Sequence, residues 1–300
     1  MSKIKGVVFI VAGAASYGVL ASFVKLANIK GFETSVLTFF QFLFGYLVLS
    51  GIAYFTKKTK VPGIISRTSK LKLILYGSSL GLTSCLYYLS IQYVPVSIAI
   101  ILLMQTIWMG SILEIFIEKT KPDRLKIIGS LVVLLGTVLA VNAFNNFYSL
   151  HYKGLIYGIL ASISYTIALM ASNKIALDLP NIIRSKYLVL GGFIATVLFW
   201  NVDILANIEF QNPMLIFFGL FLALFGTIMP PVLFNKGFPI IGIGIGSILS
   251  AIEIPISIFT AKIILKEEVQ TIQWLGVFII LISVAIINFK HISKQPWGNN

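Results

Sequence analysis

Apolar runs long enough to cross a bilayer dominate this chain, and most of its charges fall between them. No charged residue interrupts Gly6–Val24, Thr34–Thr56, Leu73–Leu113, Ile127–Asn142, Gly154–Asn173, Tyr187–Val202, Met214–Asn235 or Thr271–Phe289. A further apolar run, about Ile240–Ile264, carries only Glu253 and Lys262. A hydrocarbon core of ~30 Å takes roughly 20 residues of helix. The 41-residue run Leu73–Leu113 is therefore two helices, since a helix rises ~1.5 Å per residue. Pro95 marks the turn between them, after Gln92-Tyr93-Val94. The segments are continuously apolar and do not alternate, so a transmembrane β-barrel is excluded. The expected fold is an all-α membrane protein of ten transmembrane helices, the seventh being the shortest.

Composition agrees. Mean hydropathy is +0.96, 58% of residues are hydrophobic and 11% are charged, where a soluble domain needs roughly a quarter charged. A net charge of +13 would suggest nucleic acid in a soluble protein. Here the basic residues sit in short loops, where they orient membrane helices, so no nucleic-acid partner is expected. With the N-terminus inside, inner segments hold 18 of the 23 Lys and Arg and outer segments 5. That bias places both termini in the cytoplasm. The first apolar run shows no evident small-residue cleavage site and reads as a retained helix. The connection Thr56–Lys72 is the longest, and its six basic residues read as an orientation signal. Cys85 is the single cysteine, so neither an internal disulfide nor a thiolate metal cluster is available.

The chain also repeats itself. Lys5-Gly6, nine residues and Ser16-Tyr17 are echoed by Lys153-Gly154, nine residues and Ser164-Tyr165, an offset of 148. Thr106 and Pro255 each precede a glutamate by 12 residues, Glu118 and Glu267, and each glutamate precedes a helix with an early glycine, Gly129 and Gly276. The first copy holds two extra residues near Lys121-Pro122. The expected units are residues 1-145 and 150-292, five helices each. An odd count turns the second unit upside down in the membrane, giving two inverted five-helix repeats, an arrangement typical of secondary transporters.

These residues resemble a known group. Lys25 and Lys174 close the first helix of each unit, and an apolar hairpin follows. Then come Glu253-Ile254-Pro255, Leu265-Lys266-Glu267 and Leu275-Gly276. Order and spacing are similar to the EamA family of the drug/metabolite transporter superfamily, from about Gly6 to Asn288. The resemblance implies a ten-helix carrier with a central cavity that moves small metabolites, often amino acids, outward across the bacterial inner membrane. Thr106 stands where the family commonly has proline, and Gln41 where many members have arginine.

Chemistry is sparse. His151 and His291 lie at helix ends without metal-ligand spacing, no Walker loop is present, and no Asp pair shares a helix face. No cofactor, metal or catalytic residue is expected, and the chain does not read as an enzyme. Polar residues inside spans are costly and face a cavity or a partner. Glu253 is the midspan acid. Gly246, Ser250 and Ser257 share its face at helical spacing, so it is either a substrate or proton site in a cavity wall, or a carboxylate locking two helices. Gln105 and Trp108 share a face of the fourth helix and suit a small amphipathic solute, with an ordinary core pair as the alternative. Tyr17 and Tyr165 occupy equivalent positions, either lining the cavity or packing the first and sixth helices together. Tyr88 and Asn235 are further candidates. Gly242 and Gly246 suit close helix approach. Glu114 is expected to snorkel and pair with Lys119 or Arg124, while Lys25 and Lys174 suit interface anchoring. The expected partners are a small-molecule substrate and the lipid bilayer, with the subunit number open. Export of a metabolite such as an amino acid by alternating access is the first reading. A drug or toxic-compound efflux carrier of the same fold is the alternative, and a passive channel the remote one. Proton coupling through Glu253 and uncoupled diffusion both remain open.

Overall fold

The computed structural model describes residues 3–60, 66–119, 124–140, 151–207, 212–266 and 268–293. They form helices without a strand. In chain order these are α1 (Lys3–Ile29), α2 (Thr34–Lys60), α3 (Arg67–Tyr93), α4 in two pieces (Val96–Leu103 and Thr106–Glu118), α5 (Arg124–Ala140), α6 (Tyr152–Lys174), α7 (Asn181–Trp200), α8 (Pro213–Ile241), α9 (Ile243–Leu265) and α10 (Thr271–Ser293). A short helix, Val202–Asn207, lies between α7 and α8. Among the described residues eight of these helices are long and apolar enough to cross a membrane. Helices α5 and α10 contribute shorter apolar stretches, Ile127–Leu139 and Thr271–Ile286.

Pro95 divides the long apolar run as its chemistry demands. Helix α3 stops at Tyr93, and Pro95 stands at the N-cap of α4. The seventh helix is different from its expectation. It starts at Asn181, six residues before Tyr187, and draws Arg184 inside at 1% exposure. Backbone carbonyls explain how a cation is held there. Nε of Arg184 donates to Ile175 O at 3.0 Å, and Nη2 donates to Ser172 O at 2.7 Å and Ala171 O at 3.4 Å. Ser172 O and Ile175 O lie at the end of α6, where carbonyls lack partners within the helix, and Ala171 O is shared with the Ile175 N–H. Nη1 donates to Asn235 O at 3.0 Å. That carbonyl is free because Pro239, four residues on, has no N–H to return to it.

Helix α8 carries a second proline effect. Pro230 and Pro231 cannot donate to Gly226 and Thr227, and the preceding turn widens into a π segment, Ala223–Ile228. A carbonyl in that segment, Phe225 O, accepts from Ser16 Oγ of α1 at 2.8 Å. The echo of this serine does the same in the other unit, where Ser164 Oγ of α6 donates to Ser79 O of α3 at 2.9 Å. The Ser-Tyr echo is thus one joint built twice.

Helix pairing follows the same exchange. Helix α3 packs on α6 and α7, and α8 packs on α1 and α2. Across the units α2 meets α7, α4 meets α9 and α5 meets α10. The α3–α7 crossing is the tightest. A Cβ added to Gly77 would strike the backbone of Leu188, one on Gly81 that of Gly192, and one on Gly191 that of Ile74. Gly77 and Gly81 lie one turn apart, a small-xxx-small seam that brings backbone against backbone.

Overpacking costs ~1–3 kcal/mol, and more where backbone is struck. Gly81→Leu should therefore lower the apparent melting temperature in detergent by roughly 5 °C or more. Gly51→Ala is the control, because nothing lies within 4 Å of a Cβ there. Equal melting of the two variants would show that α3 and α7 do not cross in contact.

Candidate functional site

Three polar atoms without a hydrogen-bond partner, on Glu253, Tyr165 and Tyr87, converge at midspan. Helix α9 is not one regular helix. Its α turns give way to a 3-10 turn at Ser250–Ile252, then resume at Glu253–Thr260 and end in a π turn. Pro255 withholds the N–H that Ala251 O would accept, which favours this break. The 3-10 turn has fewer residues per revolution, so it rotates the downstream face relative to the upstream one. Glu253 begins the second helical piece at 3% exposure. Helix α1 rides directly on it, because a Cβ on Gly18 would touch Glu253 O at 2.7 Å. Tyr17, one residue earlier, is thereby carried to the carboxylate.

The resulting cavity is walled by α1, α3, α4, α6 and α9. About 400 Å³ lies between its walls, of which about 30 Å³ is open to the centre of a water molecule. A water or two fits that opening; a metabolite does not. Tyr17 and Tyr165 meet edge to face, with ring centroids 5.9 Å apart and planes at 84°. The Tyr165 hydroxyl lies beside the Glu253 carboxylate without hydrogen-bond geometry. Helix α3 presents Leu80, Thr83, Ser84, Tyr87 and Tyr88. The Tyr88 hydroxyl donates to Gln41 Oε1 of α2 at 3.0 Å. Glu253 Oε2, Tyr165 OH, Tyr87 OH and Gln41 Nε2 are buried with no hydrogen-bond partner among the described residues. Leaving a buried polar atom unpaired costs ~1–3 kcal/mol, so the three that line the cavity, on Glu253, Tyr165 and Tyr87, mark a place that a polar solute or water completes. No His, Cys, Asp and Glu cluster that could hold a metal occurs among the described residues.

Of the residues expected at the site, Tyr17, Tyr88, Tyr165 and Glu253 line this cavity. The other four lie elsewhere. Gln105 bridges the break in α4, donating from Nε2 to Ile101 O at 3.1 Å and accepting from Trp108 Nε1 at 2.8 Å. It satisfies a carbonyl that the break left free, and Trp108 is 38% exposed on the outer surface of the bundle. Ser250 Oγ donates back to Gly246 O at 2.9 Å, within its own helix. Asn235 Nδ2 donates to Ser185 Oγ at 2.8 Å beside Arg184. Gly246 leaves the Glu253 face because of the 3-10 turn, whereas Ser257, one turn past Glu253 on the same helical piece, lies beyond the cavity. Ser257 lines a separate pocket with Val96 and Gln273, and Gly246 packs against Phe238. Gly242 ends α8 at a φ of 85°, so it serves as a turn and not as a helix contact. Glu114 is 6% exposed with its carboxylate against Gly242 and Gly244, buried where snorkelling was expected. Glu267 and the side chains of Glu118 and His291 lie outside the described residues. Sequence reasoning passed over Tyr87, Thr83 and Ser84. Their signal was present, since Leu80, Thr83, Ser84 and Tyr87 follow i, i+3, i+4, i+7 down one face.

The EamA-like transporter family model matches residues 4–142 and again 152–289. Together the two matches cover nearly all of the chain. The chain belongs to the EamA-like transporter family. It is a multi-pass membrane protein with a transporter family's two-copy architecture. No curated protein matches the chain in sequence. One protein of solved crystal structure shares the fold, with a TM-score of 0.74 over 98% of this chain and 100% of that one, at 13% identity. In this family member the first match spans α1 to α5 and the second α6 to α10, so Tyr17 comes from one copy and Tyr165 and Glu253 from the other.

The Tyr88–Gln41 bond is testable by a double-mutant cycle. Tyr88→Phe and Gln41→Met should each lower stability by ~1 kcal/mol, and the double variant by clearly less than their sum. Strict additivity in melting experiments would show that the two side chains do not interact.

Proposed function

We propose that the chain is a secondary transporter that carries a small organic solute through this midspan cavity by alternating access. Ten spans in two inverted five-helix repeats fit the helix pairings, which map onto themselves when the two copies are exchanged. The observation that carries the reading is the cavity itself. It lies between the copies, is reached by five helices, and holds three uncompensated polar atoms. Glu253 and the tyrosines beside it take the role of solute site.

Contacts between helices flank Glu253 on either side along α9. With the termini cytoplasmic, as the basic residues favour, the inner side is closed where α4 crosses α9. There Gly110 accommodates Ser247, and the Glu114 carboxylate presses on Gly244. On the outer side Ser22 Oγ and Thr260 Oγ1 lie 3.2 Å apart, joining α1 to α9. Helix α9 takes part in both closures and carries Glu253. Tilting α9 against α4 and α1 opens one side while closing the other. Whole copies rocking against each other would have to break the glycine-lined α3–α7 crossing, so the moving unit is smaller than a copy. Outward transport and the inner membrane follow from the family resemblance.

The test is counterflow in proteoliposomes with a labelled panel of amino acids and organic amines. Saturable uptake driven by unlabelled solute inside is the expected result. Flux that rises linearly with concentration would replace the carrier by a channel. Orientation is checked separately: green fluorescent protein fused to the C-terminus should fluoresce, and a dark fusion with an active C-terminal alkaline phosphatase would reverse the topology.

A further inference from the structure

A solute entering this cavity meets one formal charge. Glu253 is the charged residue of the wall, among the described residues, and the rest is four tyrosine rings, two hydroxyls and three leucines. Basic side chains that turn inward from the same helices or their neighbours are committed elsewhere. Arg184 is held by four carbonyls at one end of the bundle. Lys25 donates to Ile91 O at 3.3 Å. Two copies of the cavity tyrosine, Tyr17 and Tyr165, face each other across the copies, but the acid has no equivalent. By the offset of 149 residues that relates Thr106 to Pro255, the position matching Glu253 is Met104.

This inventory discriminates between solutes. An amino acid would bring its own carboxylate within a few ångströms of Glu253, with no cation in the wall to balance the pair. Like charges at that distance in a medium of low dielectric repel strongly. A neutral solute would leave Glu253 Oε2 buried and uncompensated. An organic ammonium answers both. It gives the carboxylate its missing partner, and its alkyl groups fit the leucines. Its positive surface also suits tyrosine faces, which attract cations through their quadrupole.

We propose that the solute is a monovalent organic ammonium, held between Glu253 and the tyrosine rings of α1, α3 and α6. Its transport depends on the carrier function proposed above; its binding requires only that the walls part beyond the water or two they admit here. The amino-acid cargo that the family resemblance implies is replaced by the amine that such a molecule shares with a simple ammonium.

The probe is radiolabelled benzyltrimethylammonium, applied to the detergent-purified full chain. Its neutral isostere neopentylbenzene and the zwitterion phenylalanine serve as competitors. Saturable binding is expected, displaced by unlabelled ammonium and at least about tenfold less well by either competitor. Glu253→Gln should weaken binding about tenfold or more, with melting temperature and monodispersity recording that the variant is folded. Should that variant not fold, Tyr87→Leu against Tyr87→Phe decides instead: loss of the ring weakens binding several-fold, loss of the hydroxyl alone does not. Absence of saturable binding by folded wild type, equal displacement by neopentylbenzene or phenylalanine, or unchanged binding in folded Glu253→Gln would each overturn the assignment. Counterflow separates this from the carrier function. Binding without counterflow removes the carrier and leaves the ammonium site. Saturable phenylalanine counterflow untouched by benzyltrimethylammonium removes the ammonium site and leaves the carrier.

Discussion

Hydrocarbon offers no hydrogen bonds, so every polar group drawn into the bundle has to find its partner within the protein. That constraint organises this molecule more than any apolar contact does. At several breaks in the helical ladder a side chain arrives to repair it. Pro239 frees Asn235 O and Arg184 takes it. The π segment ahead of Pro230 includes Phe225, whose carbonyl Ser16 takes. The break in α4 frees Ile101 O and the Gln105 amide takes it. Buried polar atoms without partners are scattered through the bundle, but the cavity at Glu253 gathers three of them, one on a carboxylate. An uncompensated carboxylate at the bilayer centre costs ~3 kcal/mol. A fold that repairs single carbonyls in this way would not carry that cost unless another molecule removed it.

Symmetry and its violation have separate jobs here. The duplicated Ser-Tyr pair builds the same joint in both copies: serine fixes its helix to a carbonyl of the partner helix, and tyrosine faces the cavity. Because Tyr17 and Tyr165 touch each other, the relation between the copies passes between their rings. Glu253 breaks the relation, since its counterpart position carries a methionine. A pair of matching joints supplies two similar ways to close the bundle. A single acid supplies one binding point that both ways can share.

Much of the fold was legible because bilayer physics writes it in large letters. Apolar runs gave nearly every helix, and Pro95 divided the long one. The seventh helix was cut short because a charge reads as a helix end, and Arg184 lies inside only through carbonyls contributed by distant Pro239 and the end of α6. The site was half legible. Tyr17, Tyr165, Tyr88 and Glu253 could be reached from duplication and from the cost of burial. Ser250 failed because an ideal helical face was projected into a 3-10 turn, and Ser257 because the cavity stops short of it. Gln105 and Trp108 failed because a polar pair in a span can serve its own backbone as readily as a solute. The wall on α3 was overlooked although its Thr83, Ser84 and Tyr87 stand at helical spacing, since hydroxyls are cheap enough to bury that they draw no notice.

The glycine seam bears on how such a molecule could move. Glycine lets α3 and α7 cross backbone to backbone, and these helices come from different copies. Close backbone contact leaves little side-chain volume to rearrange, so this crossing is the stiffest link between the copies. Helices α2 and α8 are joined across the copies as well, where Thr227 Oγ1 donates to Gln41 O at 2.9 Å. Four helices are thereby bound into one mixed block. The π segment of α8 is tied down by Ser16 and Thr227, whereas α9 is segmented by a 3-10 turn and a π turn, and α4 by the Met104-Gln105 break. Interrupted helices bend at lower cost than continuous ones because their ladders are already open. Stiffness is therefore concentrated on one side of the cavity and compliance on the other, with Glu253 on the compliant side. A solute held by that carboxylate is attached to the element whose displacement exposes it.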